Sequence, residues 1–218
     1  MTLKAVLFDL DGTLVDSVPG LAEAVNGVLV ELGGEPCSED QVRVWVGNGP
    51  QKLIERALEF RTIDLPSDQA LERFRHYYQQ TLGNAVCYPG VREGLAQLKN
   101  TGLKLACVTN KSSHYTEPFL RQLELTNYFD AVLCGDEVDR PKPDPQSLHI
   151  LCDRFGIHAS EAIMVGDSVN DLIPAEKIAM PRIAVSYGYH QNKPLDVHEP
   201  ILITDNFSDV IACSLAQQ

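Results

Sequence analysis

Phe8-Asp9-Leu10-Asp11-Gly12-Thr13-Leu14-Val15-Asp16-Ser17 is the run on which the reading of this 218-residue chain turns. It follows the apolar stretch Leu3 to Phe8, whose Ala5, Val6, Leu7 and Phe8 make the unbroken hydrophobic segment expected of a parallel strand buried on both faces. Such strands end at the crevice where open α/β sheets bind their ligands. Asp9 and Asp11, one residue apart, repel each other at that end unless something holds them. A divalent cation does so, because carboxylate oxygens are hard ligands suited to Mg²⁺. Gly12 then lets the chain turn sharply away. Taken alone, the run also reads as an acidic loop in which Asp is only a turn former or helix cap.

Beyond Ser17 the pattern is helical as far as Asn84. Leu21, Val25, Val28, Leu29 and Leu32 keep helical spacing until Gly33-Gly34. Ser38 with Gln41 predicts a capping box opening the next helix. Gly47-Asn48-Gly49-Pro50 breaks that helix, and Pro50 suits the first turn of another, with Leu53, Ile54, Ala57 and Leu58 on its apolar face. Pro66-Ser67 starts a fourth, carrying Leu71, Phe74, Tyr78 and Leu82 in register. After Pro89-Gly90 helices alternate with strands at Leu103–Val108, Ala131–Cys134, Ala162–Val165, Ile183–Val185 and Ile201–Ile203. That alternation implies a parallel sheet covered on both faces. The expected fold class is α/β: a Rossmann-like parallel core with helices on both faces, residues 1–17 and 85–218, and an inserted helical cap, residues 18–84. Hinges are expected near Asp16 to Gly20 and Val86 to Pro89, with Asp16 and Ser17 capping the first cap helix.

Composition narrows the function. With 44% hydrophobic and 22% charged residues the chain has an ordinary globular make-up. A net charge of -12 argues against nucleic-acid or anionic-membrane surfaces, which need basic patches. It leaves room for a small anionic substrate, since local cations can invert the field in a cleft. The six cysteines form no Cys-x-x-Cys pair and read as reduced, inert thiols. Only Met1 and Thr2 precede Leu3, leaving no room for a signal peptide, and no apolar run approaches ~18 residues. A cytoplasmic location is expected. The six histidines make no paired ligand spacing, and Ser168 lacks a nucleophile-elbow context, so zinc and serine hydrolysis are not expected.

The opening run resembles the first motif of the haloacid dehalogenase superfamily. Leu105-Ala106-Cys107-Val108-Thr109-Asn110 is similar to the second, an apolar strand ending in Thr. Lys142-Pro143-Asp144-Pro145 resembles the third, and Met164-Val165-Gly166-Asp167-Ser168 with Asp171 the fourth. The motifs keep the family's order and span almost the whole chain. Trp45-Val46-Gly47-Asn48-Gly49, Tyr88-Pro89-Gly90-Val91, Val108-Thr109-Asn110-Lys111 and Ser186-Tyr187-Gly188-Tyr189 look like bacterial phosphoglycolate phosphatases. Sugar-phosphate and nucleotide phosphatases or phosphomutases share most of these segments. Arg140-Pro141, Pro174 and Met180-Pro181 depart from the subgroup's pattern.

What the resemblance implies is a phosphatase that transfers the phosphoryl group to an aspartate. Asp9 is the implied nucleophile and Asp11 the general acid and base, its presence separating this chain from the dehalogenases. Asp9, the Asp11 carbonyl and Asp167 are the implied Mg²⁺ ligands. Thr109 and Lys142 would hold the phosphoryl oxygens. Asp171 and Ser168 stand behind them, supporting the metal or orienting Lys142. Substrate contacts fall to Asn110 and to the cap's Gly47, Asn48, Gly49 and Lys52, where loop amides and the Lys52 cation are expected to receive a carboxylate. The partner is then a small phosphorylated metabolite, and the assembly a monomer or homodimer. A protein that binds phosphorylated ligands without turnover is the contrasting class, which the complete set of acids disfavours.

Overall fold

The computed structural model describes residues 2–191 and 193–218; Met1, where the expected core begins, lies outside them. Strand β1 (Ala5–Phe8) leads through the acidic turn into a short β2 (Val15–Asp16). Helices α1 (Val18–Glu31), α2 (Glu39–Arg43), α3 (Gly49–Phe60) and α4 (Ser67–Thr81) follow before β3 (Val86–Cys87) returns the chain. Then come α5 (Val91–Asn100), β4 (Lys104–Val108), α6 (Ser113–Gln122), β5 (Ala131–Leu133) and α7 (Gln146–Phe155). The chain finishes with β6 (Ala162–Gly166), α8 (Val169–Lys177), β7 (Arg182–Val185), β8 (Leu202–Thr204) and α9 (Phe207–Leu215).

The six-stranded sheet runs β5-β4-β1-β6-β7-β8, all neighbours parallel. The first strand therefore sits inside the sheet, between β4 and β6. After β5 the chain crosses to the far side of β1, which creates the switch point where such sheets bind ligands. Every residue of β1 is buried. Val6 and Phe8 pack with Leu95, Leu98 and Phe207 on one face, while Ala5 and Leu7 meet Leu148, Leu151 and Met180 on the other. An apolar residue at each position is what a strand covered on both faces needs.

Local signals explain most boundaries. The Ser38–Gln41 capping box forms, and Pro50 lies in the first turn of α3. Gly156 ends α7 in the left-handed conformation, φ 65°, which glycine adopts without steric cost. Pro174 is accommodated inside α8, which continues to Lys177. Helices α1 to α4 bury a second cluster built on Val25, Leu29, Ile54 and Phe74, which Tyr115 of α6 and Tyr189 join.

Three features add to or correct expectation. A short antiparallel ribbon, Val15 opposite Cys87 and Asp16 opposite Val86, joins the edges of the two segments expected as hinges. Asp16 accepts from the Val18 amide at 3.2 Å, but the buried Ser17 hydroxyl has no partner, so Asp16 rather than Ser17 closes the start of α1. Helix α9, absent from the periodicity reading, covers one sheet face, and the Phe207 ring packs tilted by 37° against that of Phe8, centroids 6.1 Å apart. Truncating this fully buried ring removes apolar contacts beneath the first strand. Phe207→Ala is expected to cost about 3–5 kcal/mol, read as a lower urea midpoint with an unchanged slope.

Candidate active site

Register brings the sequence-predicted acids together. Phe8 pairs with Cys107 on one side and Val165 on the other, so the residues just past each strand end become neighbours. The Asp9 amide donates to the Val165 carbonyl at 2.9 Å, extending the ladder by one residue and fixing the direction of the carboxylate. Lys142 arrives from the loop between β5 and α7. Its ammonium donates to Asp171 Oδ1 at 2.6 Å and to the Val108 carbonyl at 2.7 Å, and forms an ion pair with Asp9 Oδ1 at 2.9 Å. Burial alone would push the Lys142 pKa down, but Asp171 and then Asp9 outweigh it and hold the ammonium above its usual range. The Asn110 amide donates to the Lys142 carbonyl at 2.8 Å, bracing that loop from the strand beside it.

Asp167 is buried and doubly anchored, accepting from Thr13 Oγ1 at 2.7 Å and from the Tyr189 amide at 2.6 Å. The turn carrying Asp11 passes so close that a Cβ on Gly12, φ +94°, would lie 2.5 Å from Asp167 Oδ2. Asp171 is fully buried and accepts from the Ser168 amide and hydroxyl at 3.1 and 3.0 Å, the two residues forming the capping box that opens α8. Ser168 thus fixes the Asp171 carboxylate, which in turn pairs with Lys142.

Asp9, Asp167 and Asp171 bring carboxylate oxygens within 4.8 Å of one another. Burial, followed by the Asp171 charge, pushes Asp9 up to about 7, and burial with Asp171 and Asp9 raises Asp167 well above its ordinary value. One ammonium does not balance these acids. An all-oxygen donor set with excess negative charge fits a divalent cation of the hard class. Asp11 stands outside this carboxylate cluster. Its side chain meets Lys111 instead, both carboxylate oxygens lying 3.3 Å from the ammonium.

A cavity opens above these residues, with Asp9, Asp11, Thr109 and Lys142 on its floor and Leu53, Phe74 and Tyr78 on the opposite wall. Thr109 Oγ1 accepts from the Lys111 amide at 3.1 Å while facing the same cavity. Gly47 and Gly49 line the rim. The Gly47 carbonyl accepts from Asn170 at 2.9 Å and from Asn110 at a long 3.4 Å, and Gln191 holds the Val46 carbonyl at 2.6 Å. The side chains expected there point elsewhere. Asn48 is exposed and accepts from Arg56 at 2.8 Å, and Lys52, 60% exposed, pairs with Glu55 at 2.7 Å. Because α3 starts at Gly49, Lys52 falls on the outer helix face beside the acid one turn on. Neither belongs to the cavity wall.

Residues that sequence reasoning missed are Lys111, Tyr78, Asn170 and Tyr189. Tyr189 ties the acid cluster to the ribbon: its amide holds Asp167, while its hydroxyl donates to Asp16 at 2.6 Å and accepts from the Ser17 amide at 2.8 Å. The available signal was adjacency, since Lys111 follows Thr109-Asn110 and Asn170 precedes Asp171.

The family profile described as haloacid dehalogenase-like hydrolase matches residues 6–185. This chain belongs to that family. It is similar to a phosphoglycolate phosphatase of Pseudomonas fluorescens, 39% identical over 95% of this chain and 78% of the relative. A phosphoglycolate phosphatase of Yersinia pestis is 37% identical over 96% of this chain and 92% of its own length. The crystal structure of a predicted phosphoglycolate phosphatase from Haemophilus somnus superposes with a TM-score of 0.94 at 33% identity, covering 98% of this chain and 99% of the other. The haloacid dehalogenase-like fold and a phosphatase activity follow for this chain. Among the described residues no helix is long and apolar enough to cross a membrane.

Proposed function

We propose that this enzyme hydrolyses 2-phosphoglycolate to glycolate and phosphate through an aspartyl-phosphate on Asp9, with Mg²⁺ as cofactor. The observation that carries this reading is Asp9 itself: its carboxylate lies 2.9 Å from the buried Lys142 ammonium and faces the cavity, with Asp11 two residues along on the same floor. The names of the relatives supply the substrate.

In the first step an Asp9 carboxylate oxygen attacks phosphorus and the bond from phosphorus to the ester oxygen breaks. Asp11 gives its proton to the leaving alkoxide, releasing glycolate. In the second, Asp11 takes a proton from water as its oxygen attacks the phosphorus of the aspartyl-phosphate, and the Asp9 carboxylate departs from phosphate. Lys142 and the Thr109 hydroxyl bind phosphoryl oxygens, and Asp171 with Ser168 keeps Lys142 aimed. Asp9, the Asp11 carbonyl and Asp167 would hold Mg²⁺, which when bound neutralises charge on the phosphoryl oxygens. Discrimination between substrates then lies with the walls above the phosphoryl site.

The same reading divides the chain into a core of residues 1–17 and 85–218 and a cap of residues 18–84. The hydrophobic cluster built mainly by α1 to α4, which among the described residues only Tyr115 and Tyr189 join from the core, supports that division. Six unpaired cysteines fit a reducing cytoplasm, and the assembly is a monomer or homodimer acting on a small phosphorylated metabolite. The test is a panel of phosphate monoesters at saturating Mg²⁺. Phosphoglycolate is expected to show the highest kcat/KM, at least about tenfold above sugar phosphates and nucleotides, since the wall formed by Leu21, Leu53 and Phe74 gives their hydroxyls no partner. A sugar phosphate or nucleotide at the head of the panel would replace this assignment.

A further inference from the structure

The cavity is lined by two cationic side chains among the described residues, Lys142 and Lys111. Lys142, held by Asp171 at 2.6 Å, the Val108 carbonyl at 2.7 Å and Asp9 at 2.9 Å, is already assigned to the phosphoryl group. Lys111 has no such assignment. Its side chain is only 7% exposed, and its ammonium lies over the rings of Phe119 and Tyr78, 4.6 and 4.9 Å from their centroids. It donates to the Tyr78 hydroxyl at 2.5 Å, while Asp11 stands at 3.3 Å from it with both oxygens. Burying an ammonium costs free energy, and a purely structural lysine would recover it through close ionic partners. A long, evenly shared contact to one carboxylate leaves this cation able to take another anion.

Position supplies the second argument. Asp11 must reach the ester oxygen of the substrate in order to protonate it. In phosphoglycolate the carboxylate is a single methylene away from that oxygen, so its receptor has to sit beside Asp11. Lys111 does, whereas Lys52 is turned to solvent and paired with Glu55. The opposing wall adds Leu53, Phe74 and Tyr78, of which the Tyr78 hydroxyl alone is polar in its side chain.

We propose that the Lys111 ammonium, braced by Tyr78 of α4, is the receptor for the anionic carboxylate of the leaving group. The inference rests on the phosphoglycolate reading for its particular ligand, though the chemistry it names is any small ester with a carboxylate one carbon from the ester oxygen. Because Lys111 follows β4 and Tyr78 lies on α4, the subsite is completed only when the helical segment lies over the sheet. Substrate charge and closure are thereby read by the same pair.

The test compares phosphoglycolate with ethyl phosphate, which keeps the carbon skeleton and lacks the carboxylate. In Lys111→Met the ratio of kcat/KM for phosphoglycolate to that for ethyl phosphate is expected to fall by at least about 30-fold, the lower end of what losing a buried charge partner costs. Most of the fall should appear in KM for phosphoglycolate, with thermal melting reporting whether the variant is folded. Tyr78→Phe, which deletes one hydroxyl, is expected to lower the same ratio by about fivefold and carries the test if Lys111→Met does not fold. Equal losses on both esters would make Lys111 a support for Asp11 and overturn the inference. If the wild-type enzyme prefers a different carboxylate-bearing ester, the phosphoglycolate assignment fails and the ratio is read on that ester. A wild-type enzyme with no preference for a carboxylate over ethyl phosphate overturns the receptor role directly.

Discussion

Asp9→Asn is expected to abolish turnover, with residual activity at least about 10⁴-fold below wild type and the fold intact. Phosphate-monoester hydrolysis is among the slowest reactions in water, with enzymes accelerating it by up to ~10²¹-fold, so loss of the attacking group leaves little to measure. Asparagine has nearly the same shape as aspartate, and its side-chain oxygen can still accept from Lys142. The ammonium also retains Asp171 at 2.6 Å and the Val108 carbonyl at 2.7 Å, so no unpaired buried charge is created. A melting temperature within a few degrees of wild type is therefore expected alongside the lost activity. An Asp9→Asn enzyme that kept a tenth of wild-type turnover would end the covalent mechanism.

Chelation should have the next largest effect. Treatment with EDTA is expected to lower kcat by about 10³-fold or more, and added Mg²⁺ to restore it. Calcium should inhibit, because its larger, looser shell disfavours the in-line geometry of transfer. A readout independent of turnover follows from the cluster of Asp9, Asp167 and Asp171. A cation that binds the folded chain alone raises the melting temperature as its concentration rises, and Asp167→Asn should weaken that dependence. Full activity in chelator, or a melting temperature indifferent to Mg²⁺, would remove the cation from the account.

The places of Asp9, Thr109 and Asp167 at the sheet edge were legible because each ends an apolar strand, and the register of parallel neighbours then brings them together. Lys142 was different. Nothing in its spacing announces burial; the Lys-Pro-x-Pro loop acquires meaning only through resemblance, and the structure supplies the acids around it. The loop from Gly47 to Gly49 shows what glycines conceal. Gly47 and Gly49 correctly marked a break at the cavity rim, but a break does not say where the next helix begins or which way Asn48 and Lys52 will point. Tyr78 was assigned to the core by its helical spacing with Phe74, and the two rings do stack, centroids 5.3 Å apart. Its hydroxyl finds Lys111 across 33 residues of sequence, a pairing that local periodicity cannot express. The ribbon was missed for a related reason, since strands of two residues leave no alternation to detect.

That ribbon has a mechanical consequence. The chain leaves the sheet once and returns once, and both crossings are hydrogen-bonded to each other at Val15–Cys87 and Asp16–Val86. Two independent tethers would let the helical segment twist, slide and tilt over the cavity. A paired strap bends readily about one axis and resists the remaining motions, so most of the rotational freedom is surrendered during folding instead of at each substrate encounter. Under the proposed division into core and cap, closure would approach a single coordinate, and a ligand would need to supply only enough attraction to move along it.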